Sequence, residues 1–143
     1  MFSSVLTVCQ GNICRSPLAA FMLADSLPAM TVGSAGLTPL EGHDMAPDMR
    51  ALAEEKGHQW PEHEACKLTL ELCQQFDLIL VMEQRHRDEI RMCYPQVSGK
   101  VFLLSHWNGG KDIADPWKKS HDVYVHAYEA IEQAVSAWLP KLQ

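Results

Sequence analysis

The sequence predicts an α/β domain in which parallel strands alternate with helices along the whole chain. Three observations carry this expectation. Short apolar runs bounded by turn residues alternate with helix-spaced apolar stripes from one end to the other. One of those runs, Asp77-Leu78-Ile79-Leu80-Val81-Met82, is apolar at odd and even positions alike, as a strand covered on both faces must be. The first run passes through a glycine-containing loop into Ser16-Pro17, a sequence suited to a helix start. Strands separated by helices imply a parallel sheet with helices on both faces. With 143 residues and no repeat, low-complexity tract or interdomain linker, residues 1–143 are read as one domain around one core.

Each element has its own reason. Val5 to Val8 is a short buried strand. Ser16 is the expected N-cap of the first helix and Pro17 its N1 residue, where a missing N–H costs nothing. The apolar face of that helix carries Leu18, Phe21 and Met22, and it breaks near Leu27-Pro28. Met30 to Ser34 reads as the second strand, closed by Gly36. Pro47 opens a helix through Met49, Leu52 and Ala53, with Gly57 just past its end. Leu68 to Cys73 suggests a short helix, Asp77 to Met82 the central strand, and Glu83 to Cys93 a helix ended by Pro95. Val101 to Leu104 is the last strand. A loop rich in Trp, Gly and Asp leads to a final helix with the stripe Val123, Ala127, Ile131, Ala134, Val135 and Trp138.

Composition excludes several classes of function. Twelve Lys and Arg against 18 Asp and Glu give a net charge of −6 without a basic stripe, which argues against nucleic acid as a partner. No apolar run reaches the length of a membrane span, and Met1-Phe2-Ser3-Ser4 has no signal-like features. The expectation is a cytoplasmic protein that is not membrane-embedded. The five cysteines are odd in number and match neither a disulfide framework nor paired Cys-x-x-Cys motifs. They are read as free thiols of a reducing compartment, with Cys66, Cys73 and Cys93 as core residues in helix-like stretches. The histidines show no ligand spacing, so neither a metal nor another cofactor is expected.

The chemistry is concentrated in Val8-Cys9-Gln10-Gly11-Asn12-Ile13-Cys14-Arg15-Ser16-Pro17. Backbone N–H groups at a helix N-terminus favour negative charge, and successive loop amides can wrap a tetrahedral oxyanion. Arg15 supplies a fork of donors suited to two phosphate oxygens, and a cation at a helix N-terminus is unfavourable unless an anion is bound. Cys9, in that positive field, is expected as a nucleophilic thiolate. The residues also admit plainer readings. Cys9 can be a small buried thiol and Arg15 a surface salt-bridge partner. Asn12 can be a left-handed turn residue, Asp115 a turn aspartate and His63 a surface histidine.

Residues 11 to 17, Gly-Asn-Ile-Cys-Arg-Ser-Pro, resemble the signature of the low-molecular-weight protein tyrosine phosphatases. Ser34-Ala35-Gly36, Asp77-Leu78-Ile79-Leu80 and Asp115-Pro116 followed by an aromatic fall in that family's order. The resemblance implies a single-domain three-layer α/β/α fold with a central four-stranded parallel sheet and no metal. It implies Cys9, Arg15 and Asp115 as catalytic residues, with Asp115 the general acid. Gln10, Gly11, Asn12, Ile13, Cys14 and Ser16 would then form the phosphate-binding loop. By the same resemblance Asn12 bonds to Ser34 and His63, Ser16 bonds to the Cys9 sulfur, and Cys14 forms a reversible protective disulfide with Cys9. Ile13 resembles the tyrosine-phosphatase version of the loop, where related arginine phosphatases have a small hydroxyl residue. Leu37, Leu40 and Trp117 are candidate walls for a phenyl ring, each of which can equally be ordinary packing. Gln10 stands where the family is commonly apolar, and Trp117 where it often has Tyr.

Gly99 to Leu104 with His106-Trp107, and Asp115 to Ser120, look like bacterial members tied to exopolysaccharide clusters. That likeness implies a phosphotyrosine protein as partner, a tyrosine autokinase with a tyrosine-rich tail. Lys118 and Lys119 are either rim charges for such a tail or a solvated basic pair. Two rivals follow from the same residues. An arsenate reductase of this fold needs relay cysteines after the Asp77 to Met82 strand, and none comes before Cys93. A phosphotyrosine-binding regulatory module without turnover predicts the loss of Cys9, Arg15 or Asp115, and all three are present.

Overall fold

The computed structural model describes residues 2–143. Four strands, β1 (Ser4–Cys9), β2 (Thr31–Gly36), β3 (Leu78–Val81) and β4 (Val101–Leu103), form one parallel sheet in the order β2-β1-β3-β4. Five helices connect and cover them: α1 (Arg15–Ser26), α2 (Pro47–Glu55), α3 (Leu70–Gln75), α4 (Gln84–Cys93) and α5 (His121–Leu142). Short 3₁₀ turns at Pro95–Lys100 and Leu104–Trp107 flank β4.

Strand alternation divides the interior into two cores. Val5 and Cys9 of β1 and Leu78 and Leu80 of β3 face α1, α2 and α5, where Leu18, Leu23, Met49, Ile131 and Trp138 are buried. Leu6, Val8, Ile79, Val81 and Val101 face the other way, onto Cys73 of α3, Ile90 of α4 and Val97. β3, covered on both faces, is therefore apolar at every position for the reason the sequence suggested. This is a three-layer α/β/α fold.

Several boundaries and residues differ from expectation. The first helix begins at Arg15 with Cys14 in the capping position, so Ser16 is not its N-cap; the Ser16 hydroxyl is committed to Cys9 instead. β2 runs on to Gly36 because it pairs residue by residue with β1, Ser4 with Thr31 through Cys9 with Gly36. α3 starts two residues late, after Thr69, whose hydroxyl accepts from the Leu72 amide at 3.1 Å as a proper N-cap. In α5 Val123 is only half-buried, and Tyr124 and Tyr128 carry the core there. Of the three cysteines assigned to the core only Cys73 is buried. Cys66 lies outside any helix and is exposed, as is Cys93 in the last turn of α4. Gly57 takes φ +93 just beyond α2, the left-handed stop expected of it.

Candidate active site

Cys9 is the last residue of β1, at the C-terminal edge of the sheet where ligands bind in open parallel folds. The loop from Gln10 to Cys14 then turns into α1. Its carbonyls are bound from outside by the segment after β2. The amides of Leu37, Thr38, Leu40 and Ala46 donate to the carbonyls of Cys9, Gln10, Gly11 and Ile13 at 2.8–3.2 Å. Among the described residues, no backbone carbonyl accepts from the amides of Gln10, Gly11, Ile13 or Cys14. A loop whose carbonyls are turned outward while most of its N–H groups have no carbonyl partner is a cradle for an anion. Gly36 permits this close approach: a Cβ there would lie 2.8 Å from the Gln10 carbonyl oxygen and 3.0 Å from the Asn12 Cβ.

Asn12 locks the loop. It takes the left-handed step (φ 56), which an Asn tolerates better than most residues. Its side chain is fully buried, and the amide donates to the Ser16 hydroxyl at 2.7 Å and the Ser34 hydroxyl at 3.0 Å. Its Oδ1 accepts from the Cys66 amide at 3.0 Å, and its carbonyl accepts from His63 Nε2 at 2.6 Å. The turn reading and the bonding reading of Asn12 are thus both correct. Burial holds His63 below its ordinary pKa, outweighing the Asn12 carbonyl that favours its charged form. Its amide is in turn fixed by Asp44, which also binds Arg50 at 2.6 Å.

The Cys9 sulfur sits inside this cage, 2.9 Å from the Ser16 hydroxyl and 3.3 Å from the Asn12 amide. Cys14 lies beside it as a second free thiol. Burial first, and then the charges of Cys9 and Asp115, push the Cys14 thiol up to about 12 despite a Tyr124 bond and the Arg15 charge. Cys14 is a neutral thiol at physiological pH.

Arg15 is 1% exposed, so its charge is answered within the protein. Nη1 donates to Glu83 Oε2 at 2.5 Å and to the Ile113 carbonyl at 2.7 Å. Nε and Nη2 are buried and have no hydrogen-bond partner; Asp115 Oδ2 stands 3.6 Å from Nη2. One edge of the guanidinium is anchored and the other is presented to the cradle. Glu83, a residue the sequence reading took only as a helix start, is the anchor. Its position directly after the end of β3, beside the crevice, was the signal available for it. Glu83 is held by α4: its amide donates to His86 Nδ1 at 3.2 Å, and the His86 amide bonds back to the Glu83 side chain. Burial, then the Arg15 charge, push His86 down to about 4, so it is neutral and carries its proton on Nε2. Two arginines hold the Glu83 carboxyl below its ordinary range in spite of its burial.

A pocket opens over the loop. Cys9, Gly11 and Arg15 form its floor, and Ile13, Leu40 and Trp117 form apolar walls. Asp115 lies at the edge, with its Oδ1 accepting from the Trp117 amide at 3.1 Å. Thr38 and Gln10, joined by a side-chain hydrogen bond, complete the rim. Leu37 is not a wall. It is buried on the opposite side of the sheet's edge with Leu68 and Ile90, because its amide bonds to Cys9 and turns its side chain away from the pocket.

Fold and loop together define a phosphate-handling α/β domain built on a buried thiol and a buried arginine. The family model for low molecular weight phosphotyrosine protein phosphatase matches residues 4–143. The chain is 40% identical to the probable low molecular weight protein-tyrosine-phosphatase AmsI of Erwinia amylovora, over 99% of each chain. It superposes with a TM-score of 0.97 and 38% identity on the tyrosine phosphatase Wzb from Escherichia coli K30 in complex with sulphate, over 100% of both chains. It also matches the YwlE arginine phosphatase from Geobacillus stearothermophilus, at a TM-score of 0.92 and 33% identity over 99% of this chain and 93% of that one. The chain belongs to the low molecular weight phosphotyrosine protein phosphatase family. Its activity is that of a protein-tyrosine-phosphatase. No helix among the described residues is long and apolar enough to cross a membrane.

Proposed function

We propose that this phosphatase works through a phosphocysteine on Cys9. The observation that carries the reading is the Arg15 guanidinium, buried and anchored on one edge, with Nε and Nη2 unpartnered beside the free loop amides. These donors match the equatorial oxygens of a phosphoryl group in transfer. The Cys9 thiolate attacks phosphorus, and the bond between phosphorus and the phenolic oxygen breaks. The departing oxygen takes a proton from the Asp115 carboxyl, which matters because a tyrosine phenol has a pKa of about 10. Asp115, now a carboxylate, removes a proton from water as that water attacks the phosphocysteine. The P–S bond breaks, inorganic phosphate is released, and the Ser16 hydroxyl at 2.9 Å steadies the returning thiolate.

Ile13, Leu40 and Trp117 form a slot suited to a flat ring, which favours phosphotyrosine over phosphoserine and phosphoarginine. The same fold occurs in an arginine phosphatase, which supports a choice of leaving group by these walls and not by the architecture. We assign as partner a cytoplasmic phosphotyrosine tail of a tyrosine autokinase in exopolysaccharide production. This assignment rests on the likeness of residues 99–107 and 115–120 to bacterial members tied to such clusters.

The test is phosphate release from phosphotyrosine, phosphoserine and phosphoarginine peptides by the wild type, Cys9→Ser and Asp115→Asn. Release from phosphotyrosine alone is expected, at background in Cys9→Ser. Asp115→Asn is expected to lose about 10²-fold or more on phosphotyrosine and much less on 4-nitrophenyl phosphate, whose phenolate needs no proton. Turnover by Cys9→Ser would overturn the mechanism.

A further inference from the structure

Arg85 stands just outside the pocket, against the rim residue Gln10, in a setting that the reaction does not explain. It is the second residue of α4, where the helix dipole disfavours a cation. Its side chain is 57% exposed, yet it is held in place from two sides. Nε donates to Glu83 Oε1 at 3.0 Å, Nη2 approaches Glu83 Oε2 at 3.4 Å, and Nη1 donates to Gln10 Oε1 at 2.9 Å. Gln10 is itself tied to Thr38, so the chain Arg85–Gln10–Thr38 runs along the pocket edge. Three of the five guanidinium N–H groups are used, which leaves two on an exposed, pre-positioned cation. Gln10 and Glu83 together hold the guanidinium near the mouth.

We propose that Arg85 is a specificity residue that binds a carboxylate flanking the phosphotyrosine of an acidic peptide. The inference rests on the phosphotyrosine reading of the Cys9 pocket. A side chain fixed before binding loses less rotamer freedom on capturing its partner, and a guanidinium edge matches a carboxylate. The protein's net charge of −6 would otherwise repel an acidic segment, so attraction has to be local. On the opposite wall Lys118 lies 6.0 Å over the Trp117 ring, and it is the competing cation.

The experiment compares kcat/KM for two phosphotyrosine peptides, one with Glu and one with Ala on both flanks. Wild type, Arg85→Ala, Arg85→Lys and Lys118→Ala are measured at low ionic strength. The wild type is expected to favour the acidic peptide by about threefold to fivefold, the range of an exposed ion pair. Arg85→Ala brings the ratio to about one, and Arg85→Lys retains most of the preference. The ratio is the readout because a general loss of activity through Glu83 lowers both peptides alike. A preference that persists in Arg85→Ala, or that vanishes in Lys118→Ala instead, overturns the inference while the phosphatase reading stands. Failure of the wild type to turn over either peptide removes both.

Discussion

The loop from Cys9 to Ser16 and the mouth of the pocket above it are adjacent but built on opposite terms. In the loop Cys9, Asn12, Arg15 and Ser16 are all at most 2% exposed, and apart from the donors turned to the cradle their polar side chains are held by a network that reaches Ser34, Cys66 and Ile113. At the mouth Leu40 and Arg85 are exposed, Trp117 is partly so, and Asp115 is held by one hydrogen bond to a neighbouring amide. A buried network tolerates little change, since each lost partner strands another polar group. An open rim can be rewritten one residue at a time. On the proposed mechanism, phosphate chemistry falls where substitution is costly and substrate choice where it is cheap.

That contrast can be broken or sharpened by substitution. The largest effect is expected deep in the loop. Arg15→Lys keeps the charge but loses the fork, with Nη1 on Glu83 and two donors facing the cradle, so kcat should fall about 10²- to 10³-fold. Steady-state kinetics on a phosphotyrosine peptide checks this, and a loss below tenfold would mean that charge alone suffices. Asn12→Ala removes a hub and leaves the Cys66 amide and the Ser34 hydroxyl without their partner. It should cost about 1–3 kcal/mol of stability, read from the urea midpoint, with kcat falling as well. Unchanged stability would show that the network is not what holds the loop. The smallest effect is expected at the mouth. Trp117→Ala should raise KM about threefold to tenfold through lost ring contact, with stability nearly unchanged. A fall in kcat matching the rise in KM would place Trp117 in the support of Asp115 and make the mouth less independent than the contrast holds.

What was legible in the sequence follows the same division. The Cys9 loop was readable because local geometry dictates it. A buried strand, an oxyanion-sized turn and a helix start are contiguous, and their residue types are narrowly constrained. The sheet was readable because burial on both faces forces an unbroken apolar run, as in Leu78 to Val81. Local pattern read Ser16 as a helix cap while the resemblance gave it to the Cys9 sulfur; both are within a hydroxyl's reach, and the folded loop decides for the sulfur. Leu37 was misplaced for a related reason: one residue of β-like alternation decides between pocket and core, and the pairing of its amide with Cys9 sets the phase.

The sequence by itself determined the α/β alternation, the strand that delivers Cys9, and the loop of amides and arginine that follows it. All of these are set by near neighbours along the chain. The family resemblance had set Ser34 and His63 beside Asn12, but only the tertiary structure decided that Glu83, 68 residues from Arg15, anchors the guanidinium, that the Cys66 amide joins Asn12, and that Gln10 holds Arg85. Those contacts depend on the parallel register that brings the ends of β1, β2 and β3 to one edge, and no local pattern records which distant residues will meet there.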